Sequence, residues 1–127
     1  MATDVKEFMK YDLLEDDTIE YKGSTLYRIR ALKDFADVKA GDLGGYIQSE
    51  ENLSQEGNCW VYDNAKVYYC AQVYGNARVF GNARVFGFAK IYDNAKVGDN
   101  AQVYGYAEIS AWYVILGDSV IYRLQGY

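Results

Sequence analysis

Aliphatic residues recur every six positions along the second half of the chain, without a break. They are Val61, Val67, Val73, Val79, Val85, Ile91, Val97, Val103, Ile109, Ile115 and Ile121. An alanine follows four positions after each of the first eight, at Ala65, Ala71, Ala77, Ala83, Ala89, Ala95, Ala101 and Ala107. The unit reads Val, aromatic, Gly or Asp, Asn, Ala, Lys or Arg. A short fixed period is typical of a solenoid, in which each repeat buries its apolar side by stacking on its neighbours.

The period of six fits short strands better than helices. Alanine and the next valine are two positions apart, which is the spacing of one face of a strand, whereas a helix needs apolar residues near every 3.6 positions. Gly or Asp followed by Asn tolerates the left-handed backbone of a sharp corner. Three strands and three corners make one coil. We therefore predict an all-β fold, a left-handed parallel β-helix (a hexapeptide-repeat solenoid) of about three and a half coils with a β-rich N-terminal cap.

The chain divides into four segments of a single domain, residues 1–127. Residues 1–17 are predicted to form a mobile or helical arm and 18–59 the β-rich cap. Within the cap, apolar and polar residues alternate on both sides of Gly23-Ser24, which predicts a β-hairpin. Residues 60–122 form the β-helix and 123–127 the C-terminal cap or tail. The bulk of Trp112, Leu116, Tyr122 and Tyr127 is expected to close that end.

Charge and composition limit the classes of function. The net charge is −5 and the acidic excess lies in the leader, since residues 1–59 hold 7 basic and 13 acidic groups and residues 60–127 hold 6 and 5. A nearly neutral β-helix argues against polynucleotide binding. No apolar run reaches the ~20 residues of a membrane span, and no secretory signal is evident. Two cysteines are too few for a disulfide framework, which favours a cytoplasmic protein without membrane partners.

The segment before the repeats carries a recognisable motif. Asp34-Phe35, then Asp37-Val-Lys-Ala-Gly41 and Gly44-Gly45, precede Leu53-Ser-Gln-Glu-Gly-Asn-Cys-Trp60. Together with the repeats, over roughly residues 25–122, this resembles bacterial and phage hexapeptide-repeat proteins that are labelled as transferases or polymer-forming proteins. The resemblance implies the β-helix fold and a bacterial or phage origin. It implies little about activity, because the transferase label rests on shared fold.

Catalytic chemistry is not expected. Related acyltransferases use a histidine as general base and related carbonic anhydrases hold zinc with histidines, but this chain contains no histidine. We therefore predict that the protein is not an enzyme and has no catalytic residue, cofactor or metal site. An atypical acyltransferase without the usual histidine is the weaker alternative. The corner residues Asp63, Asp93, Asp99 and Asp118 are not spaced to predict a calcium site.

The outer faces offer binding candidates, because residues three repeats apart stack on the same wall. One wall carries an aromatic ladder flanked by polar and basic residues. The candidates are Lys66, Tyr68, Arg84, Phe86, Gln102, Tyr104 and Tyr122. The ladder could stabilise the coils internally, bind a second copy to form a dimer or trimer, or stack a nucleotide-like molecule. We predict a non-catalytic, homo-oligomeric binding protein, and one form of this prediction is a phage inhibitor of a host defence protein. The alternative is a protein that binds a nucleotide-like small molecule.

Overall fold

The structure is a computed structural model that describes residues 8–125, and it contains fourteen β-strands in that range. In chain order they are β1 Tyr11–Tyr21, β2 Ser24–Ala31, β3 Leu43–Ile47, β4 Trp60–Val61, β5 Lys66–Val67, β6 Gln72–Val73, β7 Arg78–Val79, β8 Arg84–Val85, β9 Lys90–Ile91, β10 Lys96–Val97, β11 Gln102–Gly105, β12 Glu108–Ile109, β13 Val114–Ile115 and β14 Val120–Arg123. A 3-10 helix, Glu50–Asn52, lies between β3 and β4.

The short strands stack in parallel into three walls. The first wall is β5-β8-β11-β14, the second is β6-β9-β12 and the third is β4-β7-β10-β13. Each strand pairs with the equivalent strand of the next coil, so that Val67, Val85, Val103 and Ile121 align. The predicted left-handed β-helix is confirmed, with about four turns instead of three and a half. The repeat's alanines and aliphatic residues fill its interior and are almost all fully buried.

The corners explain the aspartates of the repeat. Asp63, Asp93 and Asp99 adopt positive φ angles of 55 to 57°. Their Oδ2 atoms accept hydrogen bonds of 2.9 Å from the backbone N–H of the same corner one coil later, at Gly81, Ala111 and Gly117. Each aspartate thus fits the left-handed backbone and ties two coils together, which is a structural role.

The cap begins with an antiparallel hairpin. β1 and β2 pair across Lys22 and Gly23, both at positive φ, which confirms the hairpin predicted around Gly23-Ser24. The prediction of a mobile or helical arm over residues 1–17 is wrong from residue 11 onward, because β1 begins at Tyr11. Its pairing with β2 is shifted between Leu13 and Thr18 by a bulge. Residues 1–7 lie outside the described residues.

The cap continues directly into the first wall. β2 pairs antiparallel with β3, and β3 pairs in parallel with β5, so that one seven-stranded sheet runs from β1 to β14. Glycine is required in β3 by close approach. A Cβ on Gly44 would lie 2.5 Å from the carbonyl oxygen of Val61, and one on Gly45 would lie 2.5 Å from that of Ala65. The parallel stack thus starts two walls before the hexapeptide pattern, with β3 on the first wall and Leu53 bridged to Val73 on the second.

The N-terminal end of the solenoid is closed by a buried cluster. The ring of Trp60 meets those of Tyr11 and Phe35 edge-on, at 6.0 and 5.2 Å between centroids. The Tyr11 hydroxyl donates to the carbonyl oxygen of Leu53. Lys10 lies fully buried among them. Among residues 8–125, no helix is long and apolar enough to cross a membrane.

The C-terminal end differs from the predicted aromatic closure. Tyr113 stands where the repeat has alanine, yet it is 67% exposed and does not cover the end of the coil. Trp112, Leu116 and Tyr122 are exposed as well. Ile115 is only partly buried, whereas Val97, one coil below, is fully buried. Tyr127 lies outside the described residues.

Candidate functional site

The aromatic ladder of the first wall forms as predicted. Tyr68, Phe86, Tyr104 and Tyr122 stack with their rings within 9° of parallel, at centroid distances of 5.1, 4.9 and 5.1 Å. The pairing of the strands beneath brings each ring above the equivalent ring of the preceding coil. Stacked aromatic pairs stabilise neighbouring coils by ~1 kcal/mol each.

The lower half of this ladder is covered by the cap, which corrects the prediction of an uninterrupted outer face. Tyr68 is only 2% exposed and packs against Leu26 and Tyr46 of the cap. The ring of Tyr21 meets it edge-on at 5.4 Å. Burial raises the pKa of the Tyr68 hydroxyl. The hairpin thus occupies the position that a partner or ligand was expected to take.

The basic candidates of the first wall also contact the cap. Arg84 donates from Nη1 to the hydroxyl of Tyr21 at 2.9 Å. Lys66 Nζ lies 5.2 Å from the centroid of the same ring and donates to the carbonyl oxygen of Asn64. Tyr68, Phe86, Arg84 and Lys66 thus lie at the part of the first wall that the cap covers. The other three predicted residues, Gln102, Tyr104 and Tyr122, lie further toward the C-terminal end of the wall. Ligand binding or association at the first wall stays a prediction for these three.

The corner between the first and second walls carries a second aromatic stack that the sequence reasoning missed. At this corner the asparagine of the repeat is replaced in every coil, by Cys70, Phe88, Tyr106 and Leu124. The rings of Phe88 and Tyr106 lie 4.9 Å apart and 4° from parallel. They are 51% and 38% exposed. The available signal was that this corner loses the asparagine in every coil, whereas the other two corners lose it only in the last coil, at Trp112 and Asp118.

A groove of about 440 Å³ runs beside this corner stack, across the second wall. We call it the second-wall groove; its lining residues are Cys70, Gln72, Phe88, Lys90, Tyr106, Glu108 and Arg123. Lys90 and Glu108 are register partners on adjacent strands and both side chains are exposed. The groove therefore combines an aromatic side, two cations, a carboxylate and a thiol.

Glu108 is held by the aromatic residues of the second wall. The Tyr92 hydroxyl donates to Glu108 Oε1 at 3.2 Å. The Tyr92 ring is itself stacked on Tyr74, at 5.0 Å and 1°. A carboxylate positioned in this way can accept a proton from a bound molecule, and the cations beside it can attract an anion.

Lys10 and Cys59 form a buried pair away from the groove. Lys10 Nζ donates to the carbonyl oxygen of Cys59 at 2.8 Å and lies 3.3 Å from its Sγ, with further bonds to the carbonyls of Glu56 and Gly57. Burial lowers the pKa of the Lys10 ammonium and raises the pKa of the Cys59 thiol. Because burial disfavours the charged forms of both groups, this pair does not form a reactive thiolate. Its role is structural, since Lys10 donates hydrogen bonds to backbone carbonyl oxygens at the N-terminal end of the solenoid.

Within the part of the chain that the structure describes, His, Cys, Asp and Glu side chains form no group of three that could hold a metal ion.

The fold and the repeat together define a hexapeptide-repeat protein of the left-handed β-helix class. The chain is similar to the uncharacterized acetyltransferase YdcK of Escherichia coli K12, with 55% identity over 42 residues. That segment covers 33% of this chain but only 13% of the relative. No protein-family profile matches the chain.

The match corrects one prediction. The expectation that the protein is not an enzyme rested on the absence of histidine, and it is contradicted by a relative that is named as an acetyltransferase. The absence of histidine restricts the choice of the base but does not exclude catalysis, because carboxylates, amines and thiols can also transfer protons.

Proposed function

We propose that this protein is an acyltransferase, with acetyl as the favoured acyl group, and that the reaction takes place in the second-wall groove. The observation that carries the proposal is the carboxylate of Glu108, which Tyr92 orients in a groove lined by Lys90 and Arg123. The acetyltransferase name of the relative supports the choice of reaction. A cytoplasmic location belongs to this proposal and agrees with two free thiols, one of them exposed.

The groove residues have distinct roles in this proposal. An amine or hydroxyl acceptor attacks the carbonyl carbon of an acyl thioester while Glu108 takes the acceptor's proton. Lys90 stabilises the negative charge that develops on the carbonyl oxygen, or it binds the charged phosphates of the donor. The tetrahedral intermediate then releases the thiolate, which receives the proton that Glu108 took, and the acceptor keeps the acyl group. The stacked side chains of Phe88 and Tyr106 are partly exposed and offer an apolar contact surface for the donor.

The test is transfer from acetyl-coenzyme A to a panel of small amines and alcohols, followed by chromatography of the released coenzyme A and mass spectrometry of the acceptor. Glu108→Gln should lower the rate by about 10²-fold or more, because it keeps the shape and removes the base. Lys90→Gln should also lower the rate, and Lys96→Gln is its matched control, because Lys96 is also exposed and occupies the same position of the repeat on the third wall. Wild-type protein without transfer to any acceptor would refute the proposal.

A second candidate is capture of a nucleotide-like molecule in the same groove. It is favoured by the exposed stack of Phe88 and Tyr106 beside Lys90, because a base can stack on aromatic rings while a cation meets its phosphate. Calorimetric titration with nucleoside mono- and diphosphates tests it. Phe88→Ser should abolish binding in this case. No heat of binding for any of them would rule the candidate out.

A further inference from the structure

The three walls differ in how their basic residues are partnered. On the first wall, Arg84 donates to the hydroxyl of Tyr21, and Lys66 lies over the ring of the same tyrosine. On the second wall, Lys90 has the carboxylate residue Glu108 as its register partner on the adjacent strand. The basic residues of these two walls therefore have an aromatic or an acidic neighbour.

On the third wall, two cations stand next to each other without such a neighbour. Arg78 and Lys96 are register partners on β7 and β10, and the next residues in the same column are Trp60 and Val114. Neither cation forms a hydrogen bond or an ion pair within residues 8–125. Adjacent strands lie only ~4.8 Å apart, and like charges directly opposite each other destabilise a sheet. An anion bound between the two side chains would remove this repulsion.

A cavity of about 290 Å³ lies beside this pair of cations. We call it the third-wall slot; its lining residues are Asp37, Tyr62, Asp63, Arg78, Phe80 and Lys96. Five of them belong to the coils of the third wall, and Asp37 belongs to the loop of the cap. Both β7 and β10 have a strand on either side in their sheet, so the slot is built on interior coils of the solenoid.

The two aromatic residues of the slot are held apart, unlike those of the other walls. The Phe80 ring leans toward the following coil, where Gly98 has no side chain and leaves the space that the ring fills. Tyr62, one coil before Phe80, donates its hydroxyl to Asp37 Oδ1 at 2.8 Å. No ring contact joins Tyr62 and Phe80 in the described part of the chain, whereas the tyrosines of the second wall stack at 5.0 Å. The slot therefore has two aromatic side chains that a third, flat ring can contact.

We propose that the third-wall slot binds a small molecule that joins a flat aromatic ring to an oxyanion, which is either a phosphate or a carboxylate. The oxyanion lies between Arg78 and Lys96, which donate charge-assisted hydrogen bonds to it. The ring lies against Tyr62 and Phe80. Phe80 follows Arg78 by two positions of the strand, a distance of roughly 7 Å that a ring and its attached oxyanion can span. This site lies on a different wall from the second-wall groove and does not depend on the function proposed above.

The two carboxylates of the slot determine the orientation of the ligand. Asp37 accepts the hydrogen bond of the Tyr62 hydroxyl, and Asp63 Oδ2 accepts one from the backbone N–H of Gly81 at 2.9 Å. Asp63 follows Tyr62 directly in the chain, so both carboxylates lie on the aromatic side of the slot. They repel an oxyanion from that side and favour its position at the cations. A molecule with the same ring but no oxyanion gains nothing from the cations and should bind more weakly.

The experiment uses three probes with the same ring, namely naphthyl phosphate, naphthoate and naphthol, each substituted at the same ring position. Each probe is titrated to about 5 mM into isotope-labelled protein, and the amide chemical shifts in the nuclear magnetic resonance spectrum give the affinity and the place of binding. At least one of the two anionic probes should bind and shift the amides of residues 78–81 and 96–98. The tighter of the two identifies the oxyanion that the slot prefers. Naphthol should bind at least about tenfold more weakly, because it lacks the charge-assisted hydrogen bonds.

Variants of the two cations test the site directly. Arg78→Gln and Lys96→Gln should each weaken binding of the anionic probe by about tenfold or more, without lowering the melting temperature, because each also removes a like-charge contact. Lys90→Gln is the matched control for Lys96→Gln, since Lys90 is an exposed lysine at the same position of the repeat on the second wall; it should leave the shifts of the third wall unchanged. Four results would each overturn the proposal: no binding of either anionic probe, equal affinity for naphthol, wild-type affinity in both cation variants, or shifts in β6 and β9 instead of β7 and β10.

Discussion

Gly98 interrupts the aromatic positions of the third wall, and the structure explains why. A Cβ at Gly98 would lie 2.6 Å from Cδ2 of Phe80 and closer still to its Cε2 and Cζ. The Phe80 ring, which belongs to the coil below, therefore fills the space that a side chain at position 98 would need. Gly98→Ala should cost about 1–3 kcal/mol for overpacking. Alanine also loses less conformational entropy than glycine on folding, which offsets roughly 0.5–1 kcal/mol of this cost. The free energy of unfolding should therefore fall by about 1 kcal/mol in total.

A double-mutant cycle isolates this contact. In a Phe80→Ala background the ring is gone, and Gly98→Ala should then stabilise the protein by roughly 0.5–1 kcal/mol. The substitution thus changes sign, with an interaction energy of about 1–3 kcal/mol. The assay is equilibrium unfolding in urea, followed by circular dichroism. Phe86→Ala is the control background, because Phe86 stacks on the first wall with Tyr68 and Tyr104. Equal effects of Gly98→Ala in all three backgrounds would refute the reasoning.

Three further predictions concern stability. Burial raises the pKa of one thiol and four phenols, which are Cys59, Tyr11, Tyr62, Tyr68 and Tyr74. The stability that these groups contribute is fully present below their ordinary pKa values of 9.0 and 10.0 and is lost as the pH rises beyond them, so the melting temperature should fall above about pH 9. The lowered pKa of Lys10 has the opposite effect on stability, but Lys10 is a single group against five. A melting temperature that is constant from pH 8 to 11 would contradict the prediction. Tyr21→Phe removes the acceptor of Arg84 and should cost about 1 kcal/mol in urea unfolding, whereas no change would mean that water replaces it. Asp93→Ala loses the bond to the Ala111 amide and keeps a positive φ, so a loss of about 1–3 kcal/mol is expected by the same assay, and a smaller loss for Asp93→Gly would separate the two causes.

The repeat alone was sufficient to predict the stacked part of the fold, because a strict period fixes the register of every coil. The spacing of 18 residues pairs each residue with its equivalent in the next coil, and it therefore predicts the ladder from Tyr68 to Tyr122. The strand from Tyr11 to Tyr21 could not be found in this way. Its acidic run at residues 15–17 has no clear alternation, and it becomes a strand by pairing with β2, which is a tertiary contact.

The candidate site was harder to predict than the fold. The period identifies the residues that share a wall, but it does not reveal which wall the cap covers. Tyr68 therefore looked like the start of an exposed face, although Tyr21 and Tyr46 bury it. The corner stack was missed for a different reason: Phe88 and Tyr106 occupy corner positions, and corners were expected to hold asparagine.

The cap determines which outer surface of the β-helix remains open. Its hairpin packs on the first wall through Tyr21, and its loop reaches the third wall, where the Tyr62 hydroxyl donates to Asp37 at 2.8 Å. The cap meets the second wall only at the N-terminal edge of that wall, where Leu53 forms a parallel bridge with Val73 of β6, among the described residues. The groove beside Lys90 is thus free of the cap. Since Tyr21 lies on the first wall and not in the groove, Tyr21→Phe should lower stability without changing transfer or ligand binding. A parallel loss of activity in the folded variant would instead locate the site on the first wall.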